Sequence, residues 1–297
     1  MASALERAAR AWQASIAARD DAQRRVILAR WRAVEGDIGR RIAAIERRLL
    51  AAHTAGRTPG VTLMYERGRL HDLRAQVERA MTDWGHVVTR RVSDDRDAAA
   101  RDAIQWSERL IREHVGSKTG LASLRPDVVE AAIAHQAPGG PLAMLMGELG
   151  PQAAHAIADG LVTGVATGQN PAVVARRIRD SILPTYRGRA LTIARTEMMR
   201  SVREATRQRY QASRDILEGW MWWSSTDRTT CAACWAMHGT VHGLDETMDG
   251  HPGCRCVMTP VVSGSTLNYG PSGEDAFAVL PADVQRAIIG PAATTGM

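Results

Sequence analysis

Two apolar stripes constrain what the first hundred residues can become. Trp31, Val34, Ile38, Ile42, Ile45 and Leu49 recur at steps of three and four, with Arg32, Glu35, Arg40, Arg41 and Arg47 between them. A second series runs through Leu70, Leu73, Val77, Met81, Trp84 and Val88. Such spacing places one apolar face on a charged helix. The turn formers from His53 to Gly60 separate the series, so the pattern predicts an antiparallel helix pair. Closure of the stripes in a bundle is favoured over a free coiled-coil arm. Gly36 and Gly39 weaken the first rod locally, and a third helical stretch is expected over Ser93 to His114.

The spacing predicts a division into 1–118 (long-helix arm or bundle), 119–215 (helical core), 216–262 (strand and metal unit) and 263–297 (loosely ordered tail). Gly116–Gly120 marks the first boundary, and Ala137–Pro141 with Gly150-Pro151 should separate shorter helices, in which Met144, Leu145 and Met146 read as core. Asn170-Pro171 reads as a cap and first position of a helix that Pro184 ends. The next helix starts near Arg187 and buries Leu191, Ala194, Met198, Val202 and Ala205, with Glu197 beside that face and Arg200 or Arg195 as its partner. Gly219-Trp-Met-Trp-Trp-Ser-Ser225 then reads as a strand with Trp220 and Trp222 on one face, packed in a core rather than stacked on bases. Val257–Val262 is a second strand, and Ala282–Ile289 a short helix in the tail.

All four cysteines lie between Cys231 and Cys256, in Cys231-Ala-Ala-Cys234 and His251-Pro-Gly-Cys254-Arg-Cys256. Their absence from the preceding residues rules against a disulfide framework and suits a reducing cytosol. Two thiols spaced by two residues can face one ion from a tight turn, and His251 with Cys254 repeats that spacing. A tetrahedral structural zinc needs four ligands, whereas five are offered: Cys231, Cys234, His251, Cys254 and Cys256. Cys231, Cys234 and Cys254 rank first, with Cys256 and His251 competing for the fourth place. His238 and His242 read as loop or surface histidines. A two-stranded element of about 40 residues buries too little apolar area to stand alone, while metal coordination can supply on the order of 10 kcal/mol. Loss of a ligand such as Cys231 or Cys234 is therefore expected to unfold the C-terminal unit and spare the N-terminal helices.

Competing chemistries fit less well. A zinc deaminase needs His-x-Glu ahead of its Pro-Cys-x-x-Cys, but here the CxxC comes first and neither His238 nor His242 is followed by that Glu. A redox CxxC should open a helix beside a βαβ unit, which the helical upstream chain lacks. Paired disulfides would form only after release from the cell. No nucleophile, base and orienter triple can be named, so the expectation is a protein that is not an enzyme.

The net charge of +6 and pI near 9.7 suit a polyanionic partner, yet the basic residues are spread along most of the chain. Lys118 is the only lysine, and so heavy an arginine usage also follows from coding bias. The charged first ten residues do not read as a signal peptide, and no apolar run approaches the roughly 18 residues that cross a bilayer.

The order Ile193-Ala-Arg-Thr-Glu197, a long helix, a Trp-bearing strand, Asp227-Arg-Thr-Thr-Cys231-Ala-Ala-Cys234, Met237-His-Gly239 and His251-Pro-Gly-Cys254-Arg-Cys256 resembles the phage head morphogenesis family, minor head proteins similar to protein F of phage Mu. The resemblance covers about Leu161 to Val262; the chain lacks the proline pair that the family pattern leads one to expect before His251. It implies a structural minor head protein of a tailed phage or phage-like particle, present in several copies at the capsid interior or portal vertex after assembly in the host cytoplasm. Implied partners are the portal protein, the major capsid protein and packaged DNA. The expected fold is mainly α, with long N-terminal helices and a helical core followed by a small zinc-stabilised α+β unit. The competing expectation is a cytosolic zinc-containing nucleic-acid-binding module.

Overall fold

In the computed structural model, which describes residues 4–55, 59–115, 141–167, 169–264 and 270–290, the two stripes lie on two very long helices, α1 (Ala4–Thr54) and α2 (Pro59–Val115). The side chains of Leu49 and Leu70 and the segment 116–140, with its expected boundary, fall outside the described residues. Gly36 and Gly39 do not interrupt α1, and the expected break before Ser93 is absent: the second and third stretches are one 57-residue helix. No residue near Ser93 can end a helix, so α2 continues wherever it finds packing partners.

Next come α3 (Pro141–Ala166), α4 (Pro171–Arg177), a π-helical turn Ile178–Ile182 and α5 (Leu183–Gln211). Asn170 caps α4 by accepting a bond from the Ala172 amide. Neither internal proline ends a helix as expected. Pro151 lies within α3, on its exposed side. Pro184 comes two residues after the π-helical turn Ile178–Ile182, in a run that stays helical from Pro171 to Gln211. Of the expected methionine-rich core, only Met146 is buried; Met144 and Leu145 are exposed, since three consecutive helical positions span about 200° and cannot share one face.

The strands follow: β1 (Leu217–Trp223), β2 (Val241–His242) and β3 (Val257–Val262), with helix α6 (Ala232–Met237) between β1 and β2. The sheet order is β2-β1-β3, antiparallel throughout, with Trp220 opposite His242 and Trp223 opposite Val257. Short helices α7 (Gly273–Ala278) and α8 (Ala282–Ile289), the second with the bounds expected from the sequence, complete the described residues.

The chain forms two compact units, each assembled from separated segments. One comprises 22–93 and 136–195. In it Trp31, Ile38 and Ile42 pack against Val77, Trp84 and Val88, with Met146, Leu149 and Ile157 of α3 in the same core. Trp31 and Trp84 meet edge to face at 4.9 Å, so the stripes close on each other as a bundle.

The other unit comprises 1–21, 94–135 and 196–297. Its sheet is buried on both faces, and alternation along β1 sorts the residues. Met221 and Trp223 join Val257 and Val261 in a core with Trp12 and Ile16 of α1, Ala99 and Ala103 of α2, and Met198 and Val202 of α5. Trp220 and Trp222 point the other way, into a cluster with Met248, Cys234, Cys254 and Cys256. The strand and metal segment is thus no isolated two-stranded element, because parts of both N-terminal helices are built into its core. Among the described residues no helix is long and apolar enough to cross a membrane.

Candidate metal centre

Asp227-Arg-Thr-Thr230 leads the chain from the sheet into α6. Asp227 Oδ1 accepts bonds from the Thr229 amide (2.8 Å), the Thr229 hydroxyl (2.6 Å) and the Thr230 hydroxyl (3.2 Å). Burial raises its pKa, but those bonds outweigh burial and hold the carboxyl below its ordinary value. Cys231 then takes the N-cap of α6, where its sulfur accepts from the Cys234 amide at 3.4 Å. The CxxC spacing is therefore that of a cap and the first helical turn, which turns both sulfurs to one side.

The second half of the cluster arrives on the turn before β3. Gly253 sits at φ 76°, a left-handed position that glycine adopts without strain, and it reverses the chain between His251 and Cys254. His251 Nδ1 lies 2.9 Å from the Pro252 carbonyl. A carbonyl only accepts, so that nitrogen carries the proton and the Nε2 lone pair is free. Nε2 faces Cys231 Sγ at 3.2 Å and Cys234 Sγ at 3.3 Å. Cys254 Sγ lies 3.7 Å from Cys234 Sγ.

Two overlapping groups result, Cys231–Cys234–His251 and Cys234–Cys254–Cys256, with ligand atoms in each within 4.8 Å of one another. All five residues named from the sequence are brought together, with Cys234 common to both groups, and the cluster could hold a metal ion. Cys231 and His251 face solvent, while Cys234, Cys254 and Cys256 are buried. Arg255 alternates outward and reaches Asp227 and Thr229, which leaves its two cysteine neighbours pointing inward.

Crowding perturbs the thiols strongly. Hydrogen bonds from Cys234 and then Cys256 hold the Cys254 pKa far below the ordinary thiol value, with Arg203 adding to the effect. The bond to Cys254, reinforced by that to Cys256 and by burial, drives the Cys234 pKa far up. At Cys256 the contact with Cys234 acts downward, but the bond to Cys254, burial and repulsion prevail and push it up to about 12.

His238 and His242 belong to neither group. His238 is buried rather than at the surface, its Nδ1 accepting from the Ser224 amide at 3.1 Å, and His242 stacks on Trp220 at 4.4 Å. Glu197 is buried too, with Arg200, one of its two candidate partners, at 2.6 Å.

The sequence reading missed a polar ladder on α5. Thr196 Oγ1 accepts from the Gly253 amide at 3.0 Å. Seven residues on, the buried Arg203 donates to the Cys256 carbonyl through Nε (3.2 Å) and Nη2 (3.1 Å), and more distantly to the Cys254 carbonyl at 3.5 Å. Seven further on, the Tyr210 hydroxyl donates to the Met258 carbonyl at 3.3 Å. Residues at i, i+7 and i+14 lie along one side of a helix, and here they bind the backbone from the Gly253 turn into β3. Heptad-spaced polar residues on a helix whose other stripe is apolar were the available signal. Gly250 belongs to the same arrangement, because a Cβ there would lie 2.8 Å from Arg203 Cζ.

Residues 155–259 match the family model for Phage Mu protein F like protein. Over this segment, which is less than half of the chain, the protein is similar to that family. The resemblance drawn from motif order is thereby upheld, within slightly different limits from those the motifs suggested. The F-like segment includes Thr196, Arg203, every cysteine and His251, so the helix ladder and the cluster it braces lie together in the matched part. No curated protein and no solved structure matches the chain.

Proposed function

We propose that this chain is a structural minor head protein of a tailed phage or phage-like particle, acting in head assembly, and that its Cys/His cluster holds a structural zinc. The observation that carries the reading is the coincidence of the F-like match with the cluster and its bracing helix. Around a tetrahedral zinc with Zn–S near 2.3 Å, sulfurs stand about 3.8 Å apart. Cys234 and Cys254 are 3.7 Å apart, and His251 presents a free Nε2 whose ring partner is a backbone carbonyl, as in many zinc-bound histidines. In this proposal Cys231, Cys234 and His251, whose ligand atoms lie together, supply three of the ligands, and Cys254 or Cys256, both grouped with Cys234, supplies the fourth. Under this reading the protein resides in the virion, at the portal vertex or capsid interior, and the portal or major capsid protein is its partner.

The competing nucleic-acid module loses its stacking surface, because Trp220, Trp222 and Trp223 are all buried. The test of the head role is quantitative mass spectrometry of purified particles together with assembly in a null mutant. The protein should be found at low copy and its loss should yield defective heads; absence from particles with normal heads refutes the role. For the zinc, metal analysis of protein purified under reducing conditions should give one zinc per chain, whereas metal-free protein with four freely reactive thiols refutes it.

A further inference from the structure

The arginines that are spread along the sequence are not spread evenly between the two units. The unit of 22–93 and 136–195 holds 21 arginines against 10 acidic residues, a net charge of +11, whereas the other unit holds 17 basic against 22 acidic residues, a net charge of −5. A field of one sign on this scale draws polyanions to the surface that carries it. Within the basic unit the charge concentrates on α1, where residues 22–50 hold eight arginines and three acidic residues.

One face of this stretch alternates arginine with small residues. Arg25, Ala29, Arg32, Gly36, Arg40, Ala43 and Arg47 succeed one another at steps of three and four, which sets them in a single row on the side of α1 opposite the buried Trp31, Ile38 and Ile42. All four arginines are exposed. Arg25, Arg32 and Arg47 have no hydrogen bond or ion pair among the described residues. Arg40 keeps a 3.4 Å contact with Asp37, whose carboxylate Arg41 holds more closely at 2.7 Å. Glu35, Asp37 and Glu46 each stand roughly 80° or more round the helix from the middle of the row. On a helix face built only for solvation, acidic residues at three or four steps pair with such arginines. Here alanine and glycine take those positions, so the charge of the row is left uncompensated.

We propose that this row binds duplex DNA through its phosphates, without reading sequence. A guanidinium meets a phosphate with two parallel hydrogen bonds, and the small residues between the arginines let the helix lie close to a backbone. From Arg25 to Arg47 the row is ~33 Å long at the rise of an α-helix, close to the ~34 Å of one duplex turn. It offers no aromatic ring on which an unpaired base stacks, and no large apolar side chain to enter a bilayer. The inference goes beyond the head-assembly reading and needs neither that role nor the metal. The row also lies outside residues 155–259, so the family match does not assign it.

Fluorescence anisotropy of a labelled duplex of about 30 base pairs, titrated with the full chain from about 50 to 200 mM salt, tests the proposal. Two proteins of equal net charge are compared with the native one. In the first, Arg25→Gln, Arg32→Gln, Arg40→Gln and Arg47→Gln are combined; in the second, Arg101→Gln, Arg214→Gln, Arg228→Gln and Arg286→Gln, all exposed residues of the other unit. The native protein should bind duplexes of different base composition alike, with an affinity that falls steeply with salt. Loss of the row should weaken binding at least about tenfold near 100 mM salt and flatten the slope of log affinity against log salt by about 3–4, close to one for each phosphate contact. The second variant should keep both the affinity and the slope within about twofold and one unit. All eight positions are exposed, so unchanged circular dichroism is expected of both variants. No binding at the lowest salt, or equal loss in the two variants, overturns the proposal. So does competition by polyglutamate as effective as that by DNA at equal charge, which would assign the row to an acidic protein surface.

Discussion

Gly250 and Arg203 should be energetically coupled, and the structure fixes the sign. The Gly250 backbone is outside the left-handed region, so alanine is conformationally acceptable there and its cost is steric alone. The added Cβ would lie 2.8 Å from Arg203 Cζ and Nη2, which forces the guanidinium to move. That group cannot move freely, because it is buried and bonded to the Cys256 carbonyl at 3.1 and 3.2 Å. Overpacking of this kind costs about 1–3 kcal/mol. Arg203→Met removes the donors and strands a buried carbonyl, at about 3 kcal/mol if each bond to a charged group contributes about 1.5 kcal/mol. In the Met background the crowding at Gly250 is gone, so Gly250→Ala should then cost little. The double variant is expected to be more stable than the sum of the singles implies by about 1–2 kcal/mol. Urea unfolding followed by circular dichroism and tryptophan fluorescence measures all four proteins. If Gly250→Ala costs the same in both backgrounds, to within about 0.5 kcal/mol, Arg203 does not brace the turn in the way described.

His238 gives a pH dependence. Its folded pKa lies below the unfolded value of about 6.5, first through burial, so the unfolded chain binds the extra proton and the stabilisation, full above that pH, is lost as pH falls through and below it. Unfolding midpoints of the native protein should therefore drop from pH 7 to pH 5 more steeply than those of His238→Asn, and parallel slopes would contradict this. Cys231→Ser, or chelation of the metal, should loosen 231–256 while leaving the opposite sheet face packed. Hydrogen exchange should show lost protection around α6 and the His251–Cys256 turn but little change in α1 or in Met221 and Trp223, and global loss of protection would refute the local character of the effect.

What the sequence made legible was local, and what it hid depended on partners distant in the chain. The CxxC, HxxC and CxC spacings are statements about one turn of chain, and the structure brings all five residues together. The paired stripes were equally readable, since a step of three or four needs no partner to be recognised. Helix ends were not. Pro184 looks like a stop, yet it follows a π-helical turn through which the chain stays helical. The roles of Thr196, Arg203 and Tyr210 were hidden for a different reason: their heptad spacing marks one side of a helix, but it acquires meaning only when the Gly253 turn and the start of β3 lie beside it. The same distance effect corrects the energetics expected of the metal. A segment of about 40 residues read alone needs the ion in order to fold. Here Trp223, Val257 and Val261 are buried with Trp12 and Ala103, from two helices remote in sequence, and with Val202 of α5. That core stabilises one sheet face without the cluster, so a metal held by the cluster would act on the geometry of the turn and on the alignment of the α5 ladder.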